Sequence, residues 1–205
     1  MFEVRIHGRG GQGVVTAAEM LSIAGFEEGF WAQAIPSFGS ERMGAPVVAF
    51  CRLNEREIRS REPITSPDAV IIQDPTLLHQ VDVFQGLKDD GYVLINSAKS
   101  FADLGIDEVA ARLRPERQVC VPATEIALRH LGRPLPNAVL LGAFAGLAGE
   151  ISLPSVVSAI RDKFTGKVAE GNIAAATAAC EQVRAQLAAC QPVKEQLAAQ
   201  HQETR

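Results

Sequence analysis

The residues best suited to chemistry lie in a glycine-rich stretch near the N-terminus, "VRIHGRGGQGVV". Four glycines, Gly8, Gly10, Gly11 and Gly13, occupy six positions directly after a short apolar strand pattern. Gly8, Gly10 and Gly13 satisfy the G-x-G-x-x-G spacing, in which free N–H groups at a helix start attract an anion such as a pyrophosphate. The same glycines would equally serve a tight turn and close helix–strand packing, so both interpretations stay open.

Two features distinguish this glycine loop from an ordinary dinucleotide site. The second predicted strand ends in "AIPSFG" and offers no acidic residue for a ribose hydroxyl, while Glu27 and Glu28 come too early in the chain. Gln12 lies inside the loop and carries both a donor and an acceptor, which predicts a specific polar contact.

A second unusual segment, "PSFGSERMGAP", spans residues 36–46 between two predicted strands, with Glu41 and Arg42 at its centre. Loops that leave strand ends in α/β sheets are where ligand and partner contacts gather. If this segment and the glycine loop both leave the carboxyl edge, they converge on one crevice, where Arg42 presents a planar fork to phosphate or carboxylate. The alternative is a solvated connection with an incidental charge pair.

Residue types that would supply chemistry elsewhere are scattered. Neither the cysteines nor the histidines show the spacing of an iron–sulfur cluster or a zinc site. The cysteines are Cys51, Cys120, Cys180 and Cys190, and the histidines are His7, His79, His130 and His201. No Gly-x-Ser-x-Gly nucleophile motif occurs. The sequence therefore predicts no metal site and no catalytic residue, and we expect the isolated chain to be colourless and inactive.

Length and composition limit the class of protein. The chain has 205 residues, of which 47% are hydrophobic and 21% charged, with a net charge of −4. This balance argues against nucleic acid as a partner, and no apolar stretch approaches membrane-spanning length. We expect a cytoplasmic protein with one domain over residues 1–205, a core over about 1–190 and a flexible tail over 191–205.

The elements that must position the two loops follow from hydrophobic periodicity. Strand patterns occupy residues 2–7, 29–37, 45–53, 69–74, 91–97 and 117–123. Helical patterns separate most of them, beginning with one from Val14, and predict parallel pairing through crossovers. After residue 137 the patterns are helical, over 137–150, 153–164 and a long alanine-rich stretch from Asn172. The expected fold is α/β, a three-layer sandwich with a mainly parallel, Rossmann-like sheet and a helical C-terminal segment.

The last helix carries a narrow apolar seam with spacings of three and four residues, which we expect to be buried. Its members are Ile173, Ala176, Cys180, Val183, Leu187 and Cys190. Pro192 is expected to end the helix because it lacks an N–H and clashes with the preceding turn.

Six segments together resemble the γ subunit of 2-oxoacid:ferredoxin oxidoreductases. They are "GRGGQGVVTAAEMLS", "PSFGSERMGAPVVAFCRLNEREI", "DAVIIQDPTLL", "GYVLINS", "NAVLLGAFAGL" and "EGNIAAATAAC". The resemblance extends from Val4 to about Cys180, and the order of the segments makes it specific.

The resemblance implies a subunit of a complex that decarboxylates a 2-oxoacid on thiamine diphosphate, reduces ferredoxin and releases an acyl-CoA. Thiamine diphosphate, Mg²⁺ and [4Fe–4S] clusters would belong to partner subunits, with no cofactor in this chain. The implied partners are the α, β and δ subunits, coenzyme A and the 2-oxoacid at the assembled site, and ferredoxin through the complex. Residues matching the family motifs would face a ligand or a subunit interface: Gly8, Gly10, Gly11, Gln12, Gly13, Ser37, Gly39, Glu41, Arg42, Gly44 and Pro46.

The segment "ERMGAPV" resembles the same segment in γ subunits of pyruvate and branched-chain oxoacid enzymes, which favours pyruvate as the substrate. Met43 stands where many relatives carry a second arginine, which puts a carboxylate-binding role of this loop in question. Two alternatives remain, a stand-alone dinucleotide-dependent oxidoreductase and a scaffold subunit with no ligand of its own.

Overall fold

A computed structural model describes the backbone of residues 1–36 and 43–202 and the side chains of residues 1–36 and 43–189. Every predicted strand is present, with bounds that differ by at most two residues from the expected ones. The strands are β1 (Phe2–Arg9), β2 (Trp31–Pro36), β3 (Pro46–Asn54), β4 (Ala69–Ile72), β5 (Tyr92–Asn96) and β6 (Gln118–Val121).

Helices lie between and after these strands. They are α1 (Val14–Glu27), α2 (Asp107–Arg112), α3 (Ala123–Leu131), α4 (Asn137–Leu147), α5 (Leu153–Lys163) and α6 (Gly166–Gln202). Two short 3₁₀ turns, Pro75–His79 and Pro115–Arg117, follow β4 and precede β6. No helix in the described part of the chain is long and apolar enough to cross a membrane.

The six strands form one sheet in the order β2-β3-β1-β4-β5-β6. Strands β1, β4, β5 and β6 are parallel, as expected, but β3 pairs antiparallel with both β1 and β2. The expectation of parallel crossovers is therefore wrong for this edge of the sheet. Only residues 37–45 connect β2 to β3, which is too short for a parallel crossover of a dozen or more residues.

The sheet lies between two apolar layers, which confirms the three-layer α/β architecture. On one face, alternate residues such as Ile6 and Ile71 pack in one core with apolar side chains of α1, α3, α4, α5 and α6. On the opposite face, Ile72, Val93 and Ile95 pack under the segment after β4 and residues near α2. Burial on both faces explains why the parallel strands are almost continuously apolar.

The long C-terminal helix packs against α4 in the same chain. Ala176, Cys180 and Val183 are fully buried, and Ile173 and Leu187 are partly buried against the core, as the seam predicted. Cys190 lies outside the residues with described side chains.

Two expectations for α6 are wrong. It begins at Gly166 rather than at Asn172, and it continues through Pro192 to Gln202. A proline removes one main-chain hydrogen bond and crowds the preceding turn, whereas the turns on either side keep their own bonds. In a helix of 37 residues, one such position does not end the element.

Candidate functional site

The glycine loop connects β1 directly to α1, and two of its glycines are required by backbone geometry. Gly11 has φ 92° and Gly13 has φ 72°, values in the left-handed region that other residues rarely adopt. A Cβ on Gly13 would also lie 2.6 Å from the Nδ2 atom of Asn137, at the start of α4. The tight turn and the close approach to α4 therefore both depend on glycine here.

Gln12 makes the specific polar contact that its position predicted, but the partners lie within the chain. Its Oε1 accepts a hydrogen bond from the Arg9 main-chain N–H at 2.8 Å. Its Nε2 donates to Asp74 Oδ2, also at 2.8 Å. Gln12 thereby ties the glycine loop to the end of the neighbouring strand β4.

Arg9 joins the two loops and was not predicted as a site residue. Its Nη1 donates to the Gly44 carbonyl at 3.0 Å, while its Nε forms an ion pair with Asp74 at 3.1 Å. Its Nη2 donates to Thr76 Oγ1 at 2.7 Å and to Gln80 Oε1 at 2.9 Å. Asp74 lies 65 residues away in the sequence, so no local pattern could have indicated this pairing.

Asp74 is held in its charged form. Burial acts to raise the pKa of its carboxyl, but hydrogen bonds from Thr76 and Gln12 and the charge of Arg9 outweigh burial. The pKa of Asp74 therefore lies below its ordinary value. The charge of Arg9 is correspondingly balanced within the protein and is not free to neutralise a ligand.

The second loop meets the glycine loop through its main chain. The Gly10 N–H donates to the Ala45 carbonyl at 3.0 Å, and the Gly44 N–H donates to the Gly10 carbonyl at 3.1 Å. Pro46 is the first residue of β3 and pairs with Arg9 of β1. The predicted convergence therefore holds for this part of the segment, whereas Ser37, Gly39, Glu41 and Arg42 lie outside the described residues.

The meeting point has a defined place in the sheet topology. From β1 the chain passes through α1 to β2 and β3, which lie on one side of β1 in the sheet. The later strands β4, β5 and β6 lie on the other side of β1. Ligands of open α/β sheets bind at such a switch point, beyond the carboxyl ends of the strands. Met43 is 90% exposed there, and a Cβ on Gly11 would lie 3.0 Å from its sulfur. We call residues 8–13 and 43–46 the loop surface.

Metal ligands and nucleophilic thiols are two further groups that could supply chemistry among the described residues. No group of three or more His, Cys, Asp or Glu side chains within them lies close enough together to hold a metal ion. Burial raises the pKa of the Cys120 thiol to about 12, and it raises the pKa of Cys51 further. These thiols are protonated at neutral pH, so they are poor nucleophiles.

Comparisons with known proteins agree with the resemblance seen in the sequence. The profile of the "Pyruvate ferredoxin/flavodoxin oxidoreductase" family matches residues 3–182. Pyruvate synthase subunit PorC of Methanothermobacter marburgensis is 47% identical over 184 residues, which cover 90% of this chain and 98% of that protein. The common γ subunit of the pyruvate/ketoisovalerate oxidoreductases of Pyrococcus abyssi is 47% identical over 186 residues, covering 90% and 98% of the two chains.

A solved structure supports the same conclusion for the fold. The crystal structure of pyruvate oxidoreductase subunit PORC from Thermotoga maritima superposes with a TM-score of 0.76 at 34% identity, covering 88% of this chain and 95% of that one. Sequence and fold agree over nearly the whole length of the relatives, and the chain belongs to the pyruvate ferredoxin/flavodoxin oxidoreductase family.

Proposed function

We propose that this chain is the γ subunit of a cytoplasmic 2-oxoacid:ferredoxin oxidoreductase whose substrate is pyruvate. The complex also contains α, β and δ subunits, which carry thiamine diphosphate, Mg²⁺ and the [4Fe–4S] clusters. It converts pyruvate and coenzyme A to acetyl-CoA and CO₂ while ferredoxin is reduced. The observation that carries this proposal is 47% identity to γ-type subunits over 90% of the chain.

Within the complex, this subunit supplies a surface rather than reacting groups. The loop surface lies at the switch point of the sheet, and its conformation is fixed by Arg9, Gln12 and Asp74. We assign it to subunit assembly and to the placement of coenzyme A and the 2-oxoacid, with Arg42 as the cation that meets their anionic groups. Met43 contributes an exposed apolar side chain in place of a second charge.

One alternative is favoured by a specific observation. Gln12 uses both side-chain atoms within the chain, and Arg9 is occupied by Asp74, Thr76 and Gly44. A loop whose polar side chains are already bonded needs no anion to be stable. A scaffold subunit whose loop surface only packs against another subunit is therefore the second candidate.

Co-purification tests the subunit assignment. The four chains are expressed together under anaerobic conditions, and only this chain carries an affinity tag. We expect the tag to retain three further chains together with thiamine diphosphate and iron. Recovery of the tagged chain alone, from cells in which the other three are soluble, would overturn the assignment.

Two variants separate the ligand role from the scaffold role. Gly13→Val alters the glycine loop and Arg42→Ala removes the proposed anion contact, each in the assembled complex. A ligand role predicts a higher KM for coenzyme A in complexes that still assemble. A scaffold role predicts weaker subunit association with an unchanged KM. Wild-type association together with a wild-type KM would contradict both roles.

A further inference from the structure

Strand β2 lies at one edge of the sheet, and the register determines which of its main-chain groups face outward. The Gln73 N–H donates to the His7 carbonyl at 2.7 Å, so the odd-numbered residues of β1 direct their main-chain groups toward β4. The even-numbered residues of β1 therefore bond to β3. The same alternation continues across β3, whose odd-numbered residues bond to β1 and whose even-numbered residues bond to β2.

Two alanines of β2 consequently face outward. The strand bonds to β3 through Trp31, Gln33 and Ile35, which lie opposite even-numbered residues of β3. The N–H and C=O groups of Ala32 and Ala34 point away from the sheet, and none of the four forms a hydrogen bond with a described residue. Unpaired main-chain groups along an edge strand are a template for pairing with another strand.

The sequence of this edge carries little of the usual protection against pairing. Edge strands are commonly protected by lysine, by other charged side chains or by proline within the strand. No charged residue occurs from Gly29 to Pro36, and the proline is the last residue of β2. Trp31 is 55% exposed although it is a large aromatic residue, and aromatic residues are enriched at protein interfaces. This edge is therefore suited to an uncharged strand of another chain.

The edge is complementary to itself at one register. When two copies of β2 run antiparallel with Gln33 opposite Gln33, Ala32 of each copy lies opposite Ala34 of the other. Residues opposite each other in this way exchange two hydrogen bonds, so the two alanine pairs use all four outward groups of each strand. The pairing ends where the Phe30 N–H is already bonded within the chain and where Pro36 has no N–H.

The side chains fit the same register. Ala32 and Ala34 pack against the core that contains α1, so Trp31 and Ile35 lie on the opposite face of the sheet. Trp31 of each copy would lie opposite Ile35 of the other, and pairs of an aromatic and a β-branched residue stabilise antiparallel strands. Because the strand carries no charge, no like charges oppose each other across the two-fold axis.

We propose that β2 is the pairing surface for a second copy of this chain, joined antiparallel about a two-fold axis at Gln33 so that two sheets become one continuous sheet. The axis is perpendicular to the sheet, so α1 of both copies lies on the same face and adds helix contacts to those of the strands. An identical strand is favoured over a strand of another subunit, because this register satisfies the outward groups of Ala32 and Ala34 in both copies without opposing two charges. The inference goes beyond the proposed function and does not depend on it.

Sedimentation equilibrium of the full chain tests the proposal, and we expect a reversible dimer at concentrations between about 1 and 100 µM. Ala34→Pro removes an outward N–H and leaves the bonds between β2 and β3 intact, and Trp31→Ser removes the exposed aromatic side chain. Each should weaken the dimer at least about tenfold, in protein whose circular dichroism matches that of the wild type. Leu128→Ser is the matched control, because it removes an exposed apolar side chain of α3, which follows β6 at the opposite edge of the sheet. It should leave dimerisation unchanged.

Cysteine cross-linking tests the register. Opposite residues that do not exchange hydrogen bonds have Cα atoms about 4.5 Å apart, which is within the range of a disulfide. Gln33→Cys should therefore form a disulfide-linked dimer in oxidised glutathione, above the level of the wild type. Ile35→Cys is the control, because position 35 lies opposite Trp31 of the other copy and not opposite itself. It should remain uncross-linked.

Three results would overturn the proposal. They are a wild-type chain that stays monomeric up to about 100 µM, equal weakening of the dimer by Leu128→Ser, and cross-linking of Ile35→Cys as efficient as that of Gln33→Cys. A monomeric chain whose Ala34→Pro variant no longer co-purifies with the other subunits would also overturn it and would assign the edge to a strand of a partner subunit. Co-purification of the wild-type subunits is a separate readout, so failure of the dimer leaves the subunit assignment intact.

Discussion

At the residue scale, the arrangement of the loop surface depends on a charged network that the protein satisfies internally. Asp74 accepts hydrogen bonds from the side chains of Gln12 and Arg9, and Arg9 in turn donates a hydrogen bond to the Gly44 carbonyl. An Arg–carboxylate pair with further hydrogen bonds is stronger than a neutral contact and fixes direction as well as distance. This network explains how two loops separated by a strand and a helix keep one relative position.

Asp74→Asn tests the network. The amide removes the negative charge beside Arg9 and can offer an N–H where Gln12 and Arg9 need an acceptor. We expect a loss of roughly 1–3 kcal/mol in the free energy of unfolding, measured by urea denaturation. Asp162→Asn, at an exposed position of α5, is the control and should leave stability unchanged. Equal stability of Asp74→Asn and wild type would show that the network does not hold the loops.

His7 predicts a distinct pH dependence. It is 9% exposed in β1, and burial, with a smaller effect of the Arg5 charge, lowers its pKa to about 4. Between pH 4 and the ordinary value near 6.5, the unfolded chain therefore binds a proton that the folded chain does not. Stability should fall as pH decreases through this window, by up to about 3 kcal/mol.

His7→Gln removes this titration while keeping a polar side chain. The variant should show a flatter dependence of unfolding free energy on pH between 4 and 6.5. The lowered pKa of Asp74 places its own titration below this window, so the two effects separate. Equal slopes for the variant and the wild type across the window would contradict the assignment to His7.

At the element scale, the packing of α6 on α4 depends on glycines rather than on large side chains. A Cβ on Gly142 would lie 2.1 Å from the Ala176 carbonyl oxygen, and one on Gly146 would lie 2.9 Å from that of Cys180. Both obstacles are main-chain atoms of the facing helix, which cannot rotate away. The two helices must therefore separate if either glycine gains a side chain.

Gly142→Ala should consequently destabilise the protein by about 1–3 kcal/mol, although alanine normally favours a helix. Gly25→Ala is the matched comparison, because its Cβ would meet side-chain atoms alone, Leu53 Cδ2 at 2.3 Å and the Ala32 Cβ at 3.6 Å, and a side chain can shift where a main-chain atom cannot. Thermal unfolding should show a clearly larger loss for Gly142→Ala. A stabilised Gly142→Ala variant would mean that α4 and α6 do not approach as closely as described.

The buried seam of α6 also predicts the pattern of amide exchange. Ala176, Cys180 and Val183 are fully enclosed by the core, so their turns should open only with global unfolding. Hydrogen exchange should therefore be slowest around residues 175–183. Rapid exchange throughout 173–187 would refute the packing of this helix on the domain.

At the scale of the whole molecule, the sequence predicted those features that depend on residues close together in the chain. Alternating and continuous apolar runs located every strand, and the glycine spacing after β1 marked the loop, in which the structure gives Gly11 and Gly13 positive φ values. The antiparallel β3 was missed because pairing direction depends on the length of the connection, not on strand composition. Arg9, Asp74 and Asn137 were missed because their contacts join positions far apart in sequence.

The proposed function implies a division of labour in the complex, with bond making in the partner subunits and this chain completing the site. The polar residues of the loop surface hold one another in place, which suits a supporting surface. We expect the chain alone to be colourless and to catalyse no pyruvate oxidation.

The most direct test is coenzyme A-dependent reduction of ferredoxin by pyruvate, measured anaerobically with the α, β and δ subunits in the presence and absence of this chain. The account predicts little turnover without it and recovery of full activity when the purified chain is added in equal amount. Undiminished activity of the three other subunits alone, with the same dependence on coenzyme A, would contradict the central claim that this chain completes the enzyme.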